Sequence, residues 1–285
     1  MESFFCGDVP TLTLQLKREL TENCDGSTLQ PVLFQSMSRD EIKATRLTYD
    51  SQCVRVDELF EVIGDPCQRL VLSGDCSKIA NIGLGMECGS ILVRGDAGSE
   101  LARRMKGGRV EVLGNCGDHL ATNMRNGLVL VHGDAGNDAA GPCLGEQRGM
   151  QGGDCIVLGN IGERVAERMR RGILFIGGDA GDVGAAQMIA GTIIVMGNIG
   201  TDWARGMKRG SIILNRATQQ LFGADLTPSR EFELSFLPLI WRHLQQLLGK
   251  NNVKIPSSRW AMRQLGDRAN QGLGEVLSLT RHSHG

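Results

Sequence analysis

The chain has 285 residues, a formal net charge of −1, 22% charged residues and only 4% aromatic ones. Near-neutrality excludes nucleic-acid binding driven by bulk charge, and no apolar run reaches the 18 residues of a membrane-spanning helix. So few aromatics demand a narrow core of small aliphatic side chains, and the length allows one or two domains.

Residues 1–10 carry an acid and no basic segment, so a secretory signal is not expected and the location read from the sequence is cytoplasmic. Thr11-Leu12-Thr13-Leu14-Gln15-Leu16 alternates with period two and predicts a strand. Ser38-Arg39-Asp40-Glu41 has the form of a helix N-cap followed by early acids. Leu59-Phe60-Glu61-Val62-Ile63-Gly64 leads towards the repeat. Residues 1–69 are expected to form a small α/β cap over unpaired strand edges.

From about residue 69 to 216 the sequence repeats. Gly95-Asp96-Ala97-Gly98, Gly114-Asn115-Cys116-Gly117, Gly133-Asp134-Ala135-Gly136, Gly159-Asn160-Ile161-Gly162, Gly178-Asp179-Ala180-Gly181 and Gly197-Asn198-Ile199-Gly200 open successive units. The step is 19 residues except after Gly133, where it is 26. A looser copy begins at Gly74-Asp75. Each unit carries Ala (Ala102, Ala121, Ala166, Ala185, Ala204), then Met (Met105, Met124, Met169, Met188, Met207), then Gly (Gly108, Gly127, Gly172, Gly191, Gly210). A short β-branched run follows, too brief for a helix. A period near 20 marks a stacked solenoid. The predicted fold is mainly β: a single-stranded right-handed β-helix of about seven coils, with the cap before it and a helix plus tail after it. Glycines are expected to supply positive φ at the corners, methionines to fill the interior, and alanines to mark its narrow part.

The residue after each opening glycine alternates: Asp96, Asn115, Asp134, Asn160, Asp179, Asn198. Stacked aspartates would repel, and intervening asparagines separate the charges while their amides donate to carboxylates. This is read as a structural ladder; a calcium ladder is the alternative, but the Gly-Gly-x-Gly-x-Asp nonapeptide is absent. The extra residues after Gly133 form either a contact loop or a tolerated surface loop. Beyond the repeat, a helix is predicted over residues 238–248, with Pro238 in its first turn, lying on the solenoid side or on a partner. Residues 259–277 read as an extended, partly disordered tail. The boundaries read from the sequence are thus 1–69, 70–216 and 217–285.

No catalytic constellation is found, and His119, His132, His243, His282 and His284 have no metal spacing. His132 is read as a packed histidine. The nine cysteines include no Cys-x-x-Cys pair and read as buried reduced thiols. One electrostatic pattern stands out. The residue after each Met is Lys106, Arg125, Arg170 or Lys208, interrupted by Gln151 and Ile189. Arg171 and Arg209 sit beside it, Arg148 lies in the insertion, and Arg103, Arg104, Arg164, Arg168 and Arg205 fall in the same segments. Stacking gathers these into a basic stripe for an anionic ligand or acidic partner; Glu100, Glu163 and Glu167 could instead leave it a solvated face.

The Gly-x-x-Gly … Met-x-x-Gly units resemble the Gly-x-Gly-x-Gly β-helix domain of glutamate synthase large subunits and of the formylmethanofuran dehydrogenase C subunit. The resemblance to the C-subunit family covers more of the chain. It includes Leu59-Phe60-Glu61-Val62, the long unit with Gly141 through Gly149-Met150-Gln151-Gly152-Gly153, and the tail Gly266-Asp267-Arg268-Ala269 … Gly272-Leu273-Gly274-Glu275. Where that family has Gly midway through each unit, this chain has Ala.

The resemblance implies a non-catalytic structural subunit of a formyltransferase/hydrolase complex in one-carbon metabolism. Such a complex moves a formyl group from tetrahydromethanopterin to a methanofuran analogue and releases formate. It implies amidohydrolase-like, formyltransferase and further structural subunits as partners, with zinc in another subunit. The basic stripe would then meet the polyglutamate tail of the formyl carrier. Two alternatives stay open: the C subunit of a molybdenum or tungsten formylmethanofuran dehydrogenase, and a free glutamate-synthase-like module, which the tail disfavours.

Overall fold

A computed structural model of the protein describes residues 10–215, 222–249 and 255–280. Cys6, His282, His284 and the boundary at residue 217 lie outside the described residues.

The β-branched run of each unit forms one strand. Arg69–Ser73, Ser90–Arg94, Arg109–Val112, Leu128–Val131, Gln151–Val157, Arg171–Ile176, Thr192–Val195 and Arg209–Leu214 pair in sequence order, every pair parallel. The register joins equivalent positions, as in Ile91↔Val110 and Val110↔Val129. Alternation then sorts the side chains. Val110, Val112, Val129, Val131, Leu174, Ile176, Ile193 and Val195 pack into the larger core. Leu130, Ile156, Phe175, Ile194 and Ile213 form a second cluster on the other face. A further ladder of single parallel bridges runs Cys76, Ala97, Cys116, Ala135, Ile161, Ala180, Ile199, two residues after each opening glycine.

Between the bridge and the methionine the backbone alternates through left-handed residues: Glu100, Ala102 and Arg104 in one unit, His119, Ala121 and Asn123 in the next. Arg164, Ala166 and Arg168, then Val183, Ala185 and Gln187, repeat the pattern. The middle N–H points backwards and the outer two forwards. Ala121 donates to the Leu101 carbonyl (2.8 Å), whereas His119 donates to Asn137 (2.8 Å). Each unit is thereby bonded to both neighbours, which offsets a cost of roughly 1–2 kcal/mol for each left-handed non-glycine. The methyl groups of the middle alanines, Ala102, Ala121, Ala166, Ala185 and Ala204, are fully buried.

The role expected of the opening glycines needs correcting. Gly95, Gly114, Gly133, Gly159, Gly178 and Gly197 are absent from the positive-φ residues; among the corners it is Gly108, Gly127, Gly153, Gly172, Gly191 and Gly210 that have φ of 83–107°. The opening glycines are required by close approach instead. A Cβ on Gly133 would collide with Asn115 Oδ1, and one on Gly159 with Asp134 Oδ1. The Met-x-x-Gly spacing has a similar cause: the Met105 methyl would lie 2.7 Å from a Cβ on Gly127 and that of Met188 2.9 Å from one on Gly210. All these methionines are buried.

Both ends of the ladder are continued by other strands. Leu12–Leu16 pairs parallel with Arg69–Ser73 and antiparallel with Phe60–Ile63. A four-stranded sheet in the same region, Gln52–Arg55, Arg46–Tyr49, Cys24–Asp25 and Ile79–Ala80, ties the first unit to the preceding segment. Helix Arg39–Ala44 has the Ser38–Glu41 capping box. At the other end the partly disordered tail expected from the sequence is replaced by order. Leu273–Leu279 pairs parallel with Arg209–Leu214, and Trp260–Gly266 and Arg230–Glu233 follow antiparallel. The physical reason is that Gly274 offers the Met207 sulfur the same glycine seat as the repeat corners. The result is a mainly β molecule with a 13-stranded mixed sheet and few helices. Helix Leu237–Leu248 buries Leu237, Trp241, Leu244 and Leu248 on Leu130, Ile156, Phe175, Ile194 and Ile213. His243 Nε2 meets Asp154 Oδ1 at 3.1 Å. No helix of the described residues is long and apolar enough to cross a membrane.

Candidate functional site

The left-handed segments and the methionines fix the basic column. The N–H of the residue after each Met donates to the carbonyl of the preceding unit's Met: Lys106 to Met86, Arg125 to Met105, Gln151 to Met124, Arg170 to Met150, Ile189 to Met169 and Lys208 to Met188, at 2.7–2.8 Å. Successive members are therefore direct neighbours, about 4.8 Å apart. Glu87 heads the column and takes Lys106 at 2.6 Å, and this contact holds the Glu87 carboxyl below the usual range. Arg125, Arg171, Lys208 and Arg209 are exposed and Arg170 is half-buried. Among the described residues none of these five forms an ion pair.

The flanking arginines are engaged. Arg103 pairs with Glu100, Arg104 with Glu146 (2.5 Å), Arg168 with Glu167 (3.5 Å) and Arg205 with Asp202 (2.7 Å). Arg164 grips Asp138 through two bonds of 2.8 Å. Exposed pairs of this kind contribute little stability, typically below about 1 kcal/mol, but they remove charge from the surface around the column. Arg148 lies exposed in the insertion loop.

The Asp/Asn positions also form a continuous column, though through a different bond from the amide-to-carboxylate contact expected. Asp96 Oδ1 accepts the Asn115 N–H (2.7 Å), Asn115 Oδ1 the Asp134 N–H (2.8 Å), Asp134 Oδ1 the Asn160 N–H (2.6 Å) and Asn160 Oδ1 the Asp179 N–H (2.9 Å). Among the described residues the amide donates to a carboxylate once, from Asn198 to Asp179 at 3.1 Å. Asp and Asn serve equally because either offers an oxygen to a backbone N–H. A second ladder was missed by sequence reading. Asp118 Oδ1 accepts from Asn137, Asn137 Oδ1 from Glu163, and Asp182 Oδ1 from Thr201, at 2.6–2.8 Å. Its signal was the polar residue after the second glycine of each unit.

Asp267, inside the tail motif, is another residue the sequence did not single out. Its carboxylate accepts N–H groups of Gly206 (3.1 Å), Asp225 (3.0 Å) and Ala269 (3.1 Å), binding the last unit to the tail. His132 meets the fully buried Glu111 at 2.9 Å, a packed pair on the sheet. An open depression of ≈ 340 Å³ lies elsewhere, lined by Glu22, Asp25, Thr48, Asp50 and Ser51, and shares no residue with the basic column. Among the described residues no group of three or more His, Cys, Asp or Glu is placed to hold a metal.

No family model matches the sequence. Over 73 residues it is 33% identical to the C subunit of tungsten-containing formylmethanofuran dehydrogenase 2 of Methanothermobacter marburgensis, 24% of this chain and 27% of that protein. Over 89 residues it is 31% identical to the C subunit of the formyltransferase/hydrolase complex Fhc of Methylorubrum extorquens, 31% of this chain and 34% of that protein. The aligned stretches thus span only about a third or less of these curated relatives. The structure carries the likeness much further. One chain of the X-ray crystal structure of the formyltransferase/hydrolase complex (FhcABCD) from Methylorubrum extorquens, in complex with methylofuran, matches with a TM-score of 0.85 and 29% identity. That match covers 94% of this chain and 100% of the other. The chain is a relative of these C subunits. The tail, the long helix and the cap fall within the share of the chain that any 94% match must largely include, so the likeness to that chain of the complex is not confined to the glycine repeat.

Proposed function

We propose that the chain is the structural C subunit of a formyltransferase/hydrolase complex in one-carbon metabolism. In this reading the repeat units wind as coils of a right-handed β-helix, residues 70–216, between an N-terminal cap, 1–69, and a C-terminal helix and tail, 217–285. The observation that carries the reading is the end-to-end match to a chain of the FhcABCD complex, at 94% and 100% coverage. The chain holds the formyltransferase and amidohydrolase-like subunits together in the cytoplasm, beside a further structural subunit. Formyl transfer from tetrahydromethanopterin to a methanofuran analogue and hydrolysis to formate proceed on those subunits, with zinc on the hydrolase. The basic column of Lys106, Arg125, Arg170, Arg171, Lys208 and Arg209 guides the polyglutamate tail of the carrier, and the exposure of Arg125, Arg171, Lys208 and Arg209 supports that role. The Asp96-to-Asn198 ladder is structural.

A second reading is supported by the local identity to the C subunits of tungsten and molybdenum formylmethanofuran dehydrogenases, up to 36% over 80 residues. Purifying the chain with its native partners, followed by metal analysis and a formyl-transfer assay, separates the two. Zinc with formate release supports the hydrolase complex. Molybdenum or tungsten with dye-linked formylmethanofuran oxidation replaces it by the dehydrogenase. Charge reversal of Lys106, Arg125, Arg170 and Lys208 tests the column: it should slow carrier turnover, and unchanged turnover and assembly would reduce the column to a solvated face.

A further inference from the structure

From Gly95 onward the repeat breaks its 19-residue step once, between Ala140 and Met150. The chain leaves and returns at one point, since the Met150 N–H donates to the Ala140 carbonyl at 2.8 Å. A surface excursion of this size is tolerated without anchors, yet this one is pinned on several sides. Asn123 is buried on the preceding unit. Its Oδ1 accepts the Cys143 N–H at 2.5 Å, and its Nδ2 donates to the Arg148 carbonyl at 2.8 Å and to the Glu146 carboxylate. The other Glu146 oxygen takes Arg104 at 2.5 Å. On the far side the Gly149 N–H donates to the Arg168 carbonyl at 2.9 Å. The loop is thus tied to both units before it and to the one after it.

At the tip of this pinned loop stands Leu144, 104% exposed; the next most exposed large apolar side chain among the described residues, Leu239, is at 68%. A leucine held outward on a prearranged frame has already met the ordering cost of binding. The charge left unpaired beside it is positive, since Glu146 pairs with Arg104 and Glu167 with Arg168. Glu146, the loop's acid, is consumed internally, whereas Arg148 is exposed. The basic column passes at the foot of the loop, where Gln151 stands between Arg125 and Arg170.

We infer that residues 141–149 form the docking knob of this chain for another subunit of the complex, with Leu144 entering an apolar socket whose rim is acidic and meets Arg148. The inference rests on the scaffold reading above and names the surface through which the scaffold holds a partner.

The test uses the full-length chain expressed with the other subunits of its own complex. Leu144→Asp, Leu144→Ser and Arg148→Glu are compared with wild type for retention of those subunits, with the unfolding midpoint of each variant measured alone. Both Leu144 variants should keep the wild-type midpoint and weaken retention about tenfold or more, the scale of losing one buried leucine. Arg148→Glu should weaken it less and flatten its salt dependence. Wild-type retention by both Leu144 variants would overturn the knob while leaving the scaffold reading intact. Failure of the wild-type chain to retain the subunits overturns both. Self-association of the purified chain that Leu144→Asp abolishes puts the socket on a second copy, and the partner-subunit assignment falls.

Discussion

At the scale of single residues, the glycines do two different jobs that look alike in the sequence. Gly133 has ordinary φ, and a Cβ there would strike Asn115 Oδ1 and the Gly114 backbone. Gly85 has φ +63° with nothing within 4 Å of a Cβ. Gly133→Ala should therefore cost about 3 kcal/mol, the upper range of overpacking. Gly85→Ala should cost about 1 kcal/mol or less, because strain is partly offset by a stiffer unfolded chain. Denaturant midpoints of the two variants check the contrast; equal losses would mean that close approach is not what selects the opening glycines. The sequence displayed the period of these glycines but not their φ, because a glycine chosen for space and one chosen for torsion are the same letter. Val183 offers the converse case. It is β-branched at φ +62°, where the equivalent positions carry Glu100, His119, Asp138, Arg164 and Asp202. Val183→Asn should raise stability by about 0.5–1 kcal/mol, since Asn tolerates the left-handed region that a branched side chain resists.

At the scale of elements, strands and the long helix were legible because their periods are strong. Alternation marked Leu12–Leu16, and the helix predicted over 238–248 occurs as Leu237–Leu248. The tail was not legible because its Gly266-Asp267 pair is followed by neither the second glycine nor the Met-x-x-Gly of a unit, and only Gly274 reproduces the glycine seat. Asp267 is what fastens it. Burial alone would raise its pKa, but hydrogen bonds from Asp225, Ala269, Gly206 and Asn270 outweigh it and hold the carboxyl below the usual range. A depressed carboxylate contributes stability that is fully present above its unfolded value, about 3.9, and is lost as pH falls through the folded value. The protection of amides in Trp260–Gly266 and Leu273–Leu279, measured against free-peptide exchange at the same pH, should therefore fall as the pH drops below about 4. In Asp267→Asn that protection should be low at neutral pH already and show less acid dependence. A variant that matched wild type at neutral pH would mean that the carboxylate does not secure the tail.

At the scale of the whole molecule, the thiols report the core. The reading of all cysteines as buried holds for Cys24, Cys76, Cys116 and Cys155, whereas Cys53 and Cys88 are exposed and Cys67 and Cys143 half-buried. Burial pushes Cys24 up to about 11 and Cys76 and Cys116 up to about 12, with nearby carboxylates adding to it, and raises Cys155 further. Only thiolates react. Among the described thiols of a native chain at pH 8, a thiol reagent should modify Cys53 and Cys88 first, and the four buried ones only on unfolding. Early labelling of Cys155, located by peptide mapping, would contradict the packed interior. The sequence made that interior plausible through its methionine and alanine columns, but it could not separate Cys76 and Cys116, which take bridge positions facing inward, from Cys88, which does not.

The backbone-to-side-chain ladder also sets how this molecule can change in size. Asp96 reaches Asn115 and Asn160 reaches Asp179 only because the units are in phase. One residue added within a unit would break the bonds on both sides of it. A whole unit added or removed leaves every neighbour equivalent, and an excursion that returns to its own starting point, as between Ala140 and Met150, leaves the phase untouched. The length of the molecule is thereby quantised in steps of about 4.8 Å. It acts as a ruler: whatever is fastened near one end is held from whatever is fastened near the other at a spacing that can be altered only by counting units.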